Sequence, residues 1–292
     1  MTEASTSVPA APGACAACGA RGARPLFEVG GFAVVACACG LARTVLPPGF
    51  DPASIYSEAY FQGGRPDGYA DYAGSGTELR REFRRTLRVL SRHVERGRLL
   101  EVGCAYGFFL EEARAQFTVS GVELSEHARA VCRARGLAVE RELTPEFVTA
   151  HGPFDAAVLL DVLEHLRDPG AVLDQLHAAM RPGAQLLITT GNRGSLLARA
   201  LGRHWRLMTP PQHLWFFDAR TVHVVLARHG FRVHSLAHPW KLVPLALIAY
   251  QAARTVGAQG LARRLAVPGR VPVNLFDAMR VIAERVDGPA AA

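Results

Sequence analysis

The chain has 292 residues, of which 49% are hydrophobic and 20% are charged, a balance typical of a globular α/β domain with small additions. No stretch reaches the roughly 18 consecutive apolar residues of a membrane span, and residues 1–14 lack the basic and apolar regions of a signal peptide. The net charge of +7 allows a nucleic-acid partner, but Lys241 is the only lysine and the arginines alternate with acids, as on a solvated helix face. We therefore expect a cytoplasmic protein with a disordered tail over residues 1–14, and neither a membrane span nor a nucleic-acid partner.

Four of the six cysteines fall within residues 15–48, in two close pairs that are each followed by glycine. The pairs are Cys15-x-x-Cys18 and Cys37-x-Cys39. Close pairs in a cytosolic protein favour a metal over disulfides, and four thiolates suit a tetrahedral zinc ion that has no open position. The pattern predicts a zinc ribbon with a structural zinc ion on these four cysteines. Because the second pair is shortened, a degenerate ribbon that has lost its metal is left open.

Residues 49–76 are rich in Gly, Pro, Asp and Tyr and read as a linker. Its tyrosines are Tyr56, Tyr60, Tyr69 and Tyr72. They either form a lid over a bound ligand or pack the ribbon onto the next domain, and the sequence leaves both open.

Residues 77–237 alternate between strand-like and helix-like patterns. The apolar runs 98–102, 117–124, 137–140, 154–161 and 184–190 predict strands. Helical patterns run from Thr77 to about His93, from Phe108, from the cap Ser125 to Gly136, and from Pro169. Such alternation predicts a Rossmann-like, doubly wound, mostly parallel α/β sheet, with ligands at the carboxyl ends of the strands.

The loop after the first of these strands reads Glu101-x-Gly103-x-x-x-Gly107. A dinucleotide site would have G-x-G-x-x-G spacing, and the acid suits a cationic ligand better than a pyrophosphate. Glu123 ends the second strand, where a carboxylate can accept hydrogen bonds from a ribose diol. Asp161 ends the fourth strand. Each of these residues could also be part of an ordinary turn, so the prediction of a ligand site depends on their order and spacing.

The motifs ExGxxxG, VELS, FDxxxxxDVLEHLxDP and MRPGAQLLITT, over roughly residues 98–235, resemble the class I S-adenosylmethionine-dependent methyltransferases, in particular the ubiquinone-biosynthesis O-methyltransferases. The resemblance implies a seven-stranded sheet that binds S-adenosylmethionine. It places Glu101, Gly103, Cys104, Ala105 and Gly107 around the methionine part, Glu123 on the ribose, Leu124 and Glu142 near the adenine, and Asp161 and Val162 near the sulfonium. Ala105 stands where a third glycine is common, and we expect binding to survive this departure.

The segment PPQHLWFF resembles a Pro-x-His-x-x-Phe motif of small-molecule methyltransferases, which implies that His213 deprotonates or orients the acceptor. Alternatively, His213 only fixes the shape of a turn. His165 is the second catalytic candidate. It lies in the cluster Asp161-x-x-Glu164-His165, and similar clusters in the ubiquinone-type relatives bind a divalent metal. Local hydrogen bonds at a helix start would also explain Glu164 and His165.

Residues 238–292 are interpreted as a C-terminal helical extension that ends in an edge strand. The apolar run KLVPLALIAYQAARTVG predicts a helix that covers the site or forms a homodimer interface. The three tryptophans indicate an apolar or ring-bearing acceptor, although core packing is the commoner fate of Trp.

The sequence thus predicts a methyltransferase that acts on a small-molecule acceptor, O-directed, in secondary or cell-envelope metabolism. A zinc-binding N-terminus before a Tyr-rich linker also resembles the C-methyltransferases of antibiotic sugars, which carry a further large C-terminal domain. An RNA methyltransferase is a third reading, although Asp-Val-Leu-Glu stands where such enzymes have Asn-Pro-Pro-Tyr. The glycine spacing disfavours an NAD(P) oxidoreductase. A non-catalytic binding module stays possible if the acceptor pocket is closed.

Overall fold

A computed structural model describes residues 14–63, 71–245 and 269–287. The predictions for the N-terminal tail, for Tyr69 and for most of the apolar run after Lys241 lie outside the described residues. Where that predicted helix should begin, the chain instead forms a strand, β11, over Lys241–Pro244. Within the described residues, no helix is long and apolar enough to cross a membrane.

The described helices and strands follow in chain order. The strands are β1 Arg24–Val29, β2 Phe32–Ala36, β3 Ala42–Thr44, β4 Gly97–Val102, β5 Phe117–Val122, β6 Ala138–Glu140, β7 Phe154–Leu160, β8 Met180–Gly191, β9 Trp215–Phe216, β10 Phe231–Ala237, β11, β12 Arg270–Val273 and β13 Ala278–Arg285. The helices are α1 Glu58–Phe61, α2 Gly76–Leu90, α3 Phe108–Ala113, α4 Glu126–Ala134, α5 Pro145–His151, α6 Pro169–Ala179, α7 Leu196–Leu201 and α8 Ala219–Arg228.

Seven strands form the central sheet in the order β10-β13-β8-β7-β4-β5-β6. The five strands from β4 to β8 are parallel to their neighbours within this group, whereas β13 runs antiparallel to both of its neighbours, β8 and β10. Helices pack against this sheet, so the predicted Rossmann-like, mostly parallel α/β fold is confirmed. From β4 the chain first adds β5 and β6 on one side of that strand and then β7 and β8 on the other side. This change of direction in the strand order leaves the carboxyl ends of β4, β5 and β7 next to one another.

The last strand corrects a prediction. The sequence predicted an edge strand at the C-terminus, but β13 lies inside the sheet, between β8 and β10. Its residues alternate little in polarity, and Met279, Val281, Ile282 and Ala283 are all buried. A strand that is covered on both faces shows such a continuous apolar run, and this signal pointed to an interior position.

Local capping rules place several helices. The Ser125 hydroxyl accepts a hydrogen bond from the Ala128 N–H at the start of α4, and Pro169 occupies the first turn of α6, where its missing N–H costs nothing. Both starts were predicted. Helix α5 was not, although Thr144 caps it and Pro145 opens it in the same manner.

The cysteine-rich region forms a second sheet with the order β1-β2-β3-β9. Its first three strands belong to the ribbon, but β9 comes from the segment after the central strand β8. The ribbon therefore shares a sheet with the main domain and is not a separate appendage.

Candidate functional site

The glycine loop between β4 and α3 adopts a left-handed backbone at alternate residues. Gly103, Ala105 and Gly107 have φ of +72°, +46° and +73°. A Cβ atom on Gly103 would lie 2.6 Å from Val162 Cγ2, and one on Gly107 would lie 2.4 Å from a methyl carbon of Leu137. Glycine is therefore required at both positions, and Ala105 holds a strained conformation of the kind found at ligand sites.

Glu101 lies beneath this loop and is 3% exposed. Its Oε2 atom has no hydrogen-bond partner within the described part of the chain. Burial, reinforced by Cys132 and Glu123, raises the pKa of Glu101 well above its ordinary value. A buried acceptor without a partner is costly, and a cationic ligand group would both satisfy it and favour its charged form.

Glu123, just after β5, is held by the loop that it faces. Its two carboxylate oxygens accept hydrogen bonds from the N–H groups of Ala105, at 2.9 Å, and Ser125, at 2.8 Å. The buried guanidinium of Arg129 donates to the carbonyl oxygens of Glu123 and Leu124, at 2.6 and 2.8 Å. Burial raises the pKa of Glu123, against the effect of these N–H donors. Arg129, which fixes the turn that carries Glu123, was not among the residues predicted from the sequence.

The predicted adenine neighbours lie at the same edge of the sheet. The Leu124 side chain is 40% exposed, which leaves an apolar surface free for a flat ring. Glu142 lies in the exposed turn after β6, and its carboxylate pairs with Arg141 at 3.2 Å. Cys104, which was predicted beside the methionine part of the cofactor, is buried, and its side chain belongs to the same core cluster beside the loop as Cys132.

Asp161 follows β7 with φ of +55°, another left-handed non-glycine residue. Its N–H donates to Thr189 Oγ1 and the Thr189 hydroxyl donates to Asp161 Oδ1, both at 2.9 Å. Thr189 lies near the end of the neighbouring strand β8, in register with Leu160. This position near the end of a strand adjacent to β7 was the signal that could have identified Thr189. The next residue, Val162, packs against Gly103.

A turn over Leu163–His165 brings the two candidate histidines together. The rings of His165 and His213 are 4.6 Å apart, edge to face. The Nδ1 atoms point at backbone carbonyl oxygens, of Gln212 at 2.9 Å for His165 and of Leu207 at 2.7 Å for His213. A carbonyl oxygen only accepts, so each Nδ1 carries the proton and each neutral ring keeps its lone pair on Nε2.

Glu164 completes this cluster. One oxygen of its carboxylate and one ring nitrogen of each histidine lie within 4.8 Å of one another. Burial, and then repulsion by Asp161, raises the pKa of Glu164 to about 8, and burial lowers the pKa of His165. Burial and the neighbouring His165 lower the pKa of His213 to about 3. Such a trio can share a proton or hold a divalent cation.

The linker tyrosines contact both halves of the site. Tyr60 and Tyr72 are buried in an aromatic cluster with Tyr106 and Phe108 of the glycine loop and α3. The Gln212 side-chain amide donates to the Tyr60 hydroxyl at 2.8 Å. The Tyr56 ring lies 6.2 Å from that of His165. The linker thus packs onto the core and also borders the histidine pair.

The tryptophans divide between core and surface. Trp205 and Trp215 are buried, and their indole N–H groups donate to Asp277 Oδ2 at 3.1 Å and to the Leu166 carbonyl at 2.9 Å. Trp240 is 65% exposed.

The four N-terminal cysteines form a compact cluster. The sulfur atoms of Cys15 and Cys39 are 3.6 Å apart and those of Cys18 and Cys37 are 3.5 Å apart, too far for disulfides. Zn–S bonds of about 2.3 Å in a tetrahedron place sulfur atoms about 3.8 Å apart. The glycines after each pair, Gly19 and Gly40, have φ of +71° and +99°, and they allow the tight turn, or knuckle, that closes each cysteine pair. Burial raises the pKa of the Cys39 thiol to about 12. Backbone N–H donation, from Ala20, lowers the pKa of Cys18 to about 7.

Comparisons with known proteins agree with this geometry. A family model described as a methyltransferase domain matches residues 76–236. Ubiquinone biosynthesis O-methyltransferases are similar to the chain. The protein of Pseudomonas paraeruginosa is 34% identical over 125 residues, 39% of this chain and 53% of the relative. That of Caulobacter sp. is 32% identical over 151 residues, 47% of this chain and 60% of the relative.

The chain thus spans between half and three fifths of the length of these relatives. Among solved structures, the magnesium protoporphyrin IX methyltransferase of Synechocystis with bound SAH is 14% identical and has a TM-score of 0.50. The likeness covers 80% of this chain and 97% of that one, and it shows the shared fold. Because the family model covers more than half of the chain, the protein belongs to the methyltransferase-domain family, with the class I S-adenosylmethionine-dependent methyltransferase fold.

Proposed function

We propose that the protein transfers a methyl group from S-adenosylmethionine to an oxygen of a small-molecule acceptor. One observation supports this most directly. Val162 packs against the glycine loop, and His165, three residues later, lies beside His213. A ligand held by the loop would thus lie close to a pair of imidazoles. This proximity is what a transfer between two bound molecules requires.

The cofactor would be held by residues that fit its chemistry. Glu101, whose Oε2 has no partner among the residues that the structure describes, would accept from the ammonium group. Glu123, already oriented by two N–H donors, would accept from the ribose hydroxyls. When bound, S-adenosylmethionine supplies an activated methyl group that an acceptor attacks in line, opposite the sulfur. Alignment and exclusion of water then provide much of the rate.

The acceptor side would handle the proton. A hydroxyl acceptor loses one proton as its oxygen bonds to the methyl carbon, and that proton passes to the Nε2 lone pair of His213 or His165. The pKa of His213, which burial lowers to about 3, keeps this imidazole neutral at physiological pH but makes it a weak base, so it needs a nearby anion to hold the proton. Glu164, whose pKa is raised to about 8, would supply that anion once it is ionised and would stabilise the imidazolium that forms. If the trio instead holds a divalent cation, the cation would polarise the acceptor oxygen.

We further propose that Cys15, Cys18, Cys37 and Cys39 hold a structural zinc ion. Their sulfur separations fit a tetrahedral ion, and neutral thiols would gain little from such close packing. A zinc ion would favour the thiolate form of all four.

Titration of the purified protein with S-adenosylhomocysteine and with NAD tests the cofactor assignment. We expect micromolar or tighter binding of the first and none of the second. A panel of phenols, hydroxy acids and nucleotide sugars with labelled S-adenosylmethionine then tests transfer. Binding of NAD without binding of S-adenosylhomocysteine would overturn the proposal, and label on carbon in a sugar product would replace O-methylation with C-methylation.

A further inference from the structure

The ribbon sheet continues directly into the acceptor side of the site. Strand β3 pairs with β9 so that Ala42 faces Phe216 and Arg43 faces Trp215. The buried Thr44 extends this pairing by one residue. Its N–H donates to the Leu214 carbonyl at 2.9 Å, and its hydroxyl donates to the His213 carbonyl at 2.7 Å across 169 positions of sequence.

On its other side, the segment 213–216 is hydrogen-bonded to the turn that carries His165. The Leu214 N–H donates to the Glu164 carbonyl at 2.8 Å, and the Trp215 indole donates to the Leu166 carbonyl at 2.9 Å. Residues 213–216 are therefore held between the ribbon and this turn, and they set the separation of the two imidazoles.

The cysteine knuckles pack against this segment as well. Cys15, Cys37 and Leu41 belong to the same buried hydrophobic cluster as Leu214 and Trp215. A cleft lined by both Cys15 and Cys37 is also lined by Trp215. The conformation of the knuckles thus bears on the backbone that carries His213.

The glycine loop has supports of its own. Its N–H groups donate to the carbonyl of Val122, from Gly103 at 2.8 Å, and to the carboxylate of Glu123, from Ala105. These hydrogen bonds come from the end of β5 and not from the ribbon or residues 213–216, although the linker tyrosines contact both halves of the site.

We propose that the ribbon positions the acceptor-side histidines, with Thr44 as the positioning residue, so that zinc occupancy of the cysteines controls acceptor turnover and leaves cofactor binding unchanged. This inference rests on the proposed function. It assigns the N-terminal module a role in catalysis that is separate from general stability, since a residue of the module holds the backbone of His213 directly.

Substitutions of Thr44 test the inference while the cysteines stay intact. Thr44→Val keeps the shape and deletes the hydroxyl, Thr44→Ser restores the hydroxyl, and Thr149→Val is the matched control. The exposed Thr149 hydroxyl donates to the Pro145 carbonyl at 2.9 Å within α5. We expect Thr44→Val to lower turnover about tenfold and to speed amide exchange over residues 205–217. Affinity for S-adenosylhomocysteine should stay within about twofold, and Thr44→Ser and Thr149→Val should resemble the wild type.

Normal exchange over residues 205–217 in Thr44→Val would overturn the inference, and so would a loss of S-adenosylhomocysteine affinity equal to the loss of turnover. The proposed function fails separately. If the wild type binds S-adenosylhomocysteine but methylates no member of the acceptor panel, methyl transfer is refuted, while the exchange data still decide whether the ribbon positions His213.

Discussion

The cofactor side and the acceptor side of this site are built in opposite ways. Most of the cofactor side comes from one continuous stretch, from β4 through the glycine loop to Glu123 after β5, and the two hydrogen bonds to the Glu123 carboxylate span 18 positions or fewer. The acceptor side joins the ribbon, the linker, the Leu163–His165 turn and residues 205–216, with one contact across 169 positions. A site made from one stretch can be recognised in the sequence, whereas one assembled from four can be recognised only in the fold.

Loss of zinc should produce the largest difference between the two sides, because it should impair the acceptor side and spare the cofactor side. We expect about one zinc ion per chain, and Cys18→Ser should release it, because the other three thiolates cannot complete a tetrahedron. Turnover should then fall by roughly 100-fold or more, since the backbone of His213 loses its support. Metal analysis with Cys132→Ala as control, a cysteine outside the cluster, checks the assignment. Reduced, intact protein without zinc would refute it.

Removal of the imidazole of His213 should affect the acceptor side alone. His213→Ala should lower turnover by roughly 100-fold while S-adenosylhomocysteine affinity changes little, because the imidazole removes an acceptor proton and does not hold the cofactor. Steady-state kinetics and calorimetry measure the two quantities on the same preparation. A variant that turns over normally would make His213 a turn residue and shift attention to His165.

Glu123→Ala is the corresponding change on the cofactor side. It should weaken cofactor binding by about 1–3 kcal/mol, because the ribose hydroxyls lose a charged acceptor. Turnover at saturating cofactor should change less. Glu95→Ala, an exposed acid in the loop before β4, controls for the change of charge. Unchanged affinity in calorimetry would contradict the ribose assignment.

The smallest expected effect is a dependence of stability on pH. The pKa of Glu164 is raised from 4.5 to about 8, so the folded chain holds this proton more tightly than the unfolded chain. Its stabilising contribution is full below pH 4.5 and is lost as the pH rises through 8. Glu164→Gln removes this loss. In metal-free buffer, the melting temperature of Glu164→Gln minus that of the wild type should therefore be about 3–6 °C larger at pH 9 than at pH 5. Melting temperatures of the two proteins that change by the same amount with pH would contradict the raised pKa of Glu164.

The sequence predicted what depends on local rules. The glycine loop, Glu123 and the Ser125 cap follow from spacing along one stretch, and each lies where it was expected. The four cysteines were found because their knuckles are also local.

What the sequence could not predict depends on distant contacts. Nothing in the sequence near Thr44 indicates that its hydroxyl donates to the carbonyl of His213. Likewise, nothing near Gln212 indicates that its side-chain amide donates to the Tyr60 hydroxyl. The interior position of β13 and the low pKa of His213 follow from burial in the folded chain. Burial by remote segments has no signature in a short window of sequence.

Hydrogen exchange of zinc-loaded and zinc-free protein, both saturated with S-adenosylhomocysteine, tests the separation of the two sides most directly. Two stretches are compared, residues 205–217 on the acceptor side and residues 98–124 on the cofactor side. We expect zinc removal to speed exchange over residues 205–217 and to leave exchange over residues 98–124 unchanged. Equal acceleration in both stretches, or none in either, would contradict it.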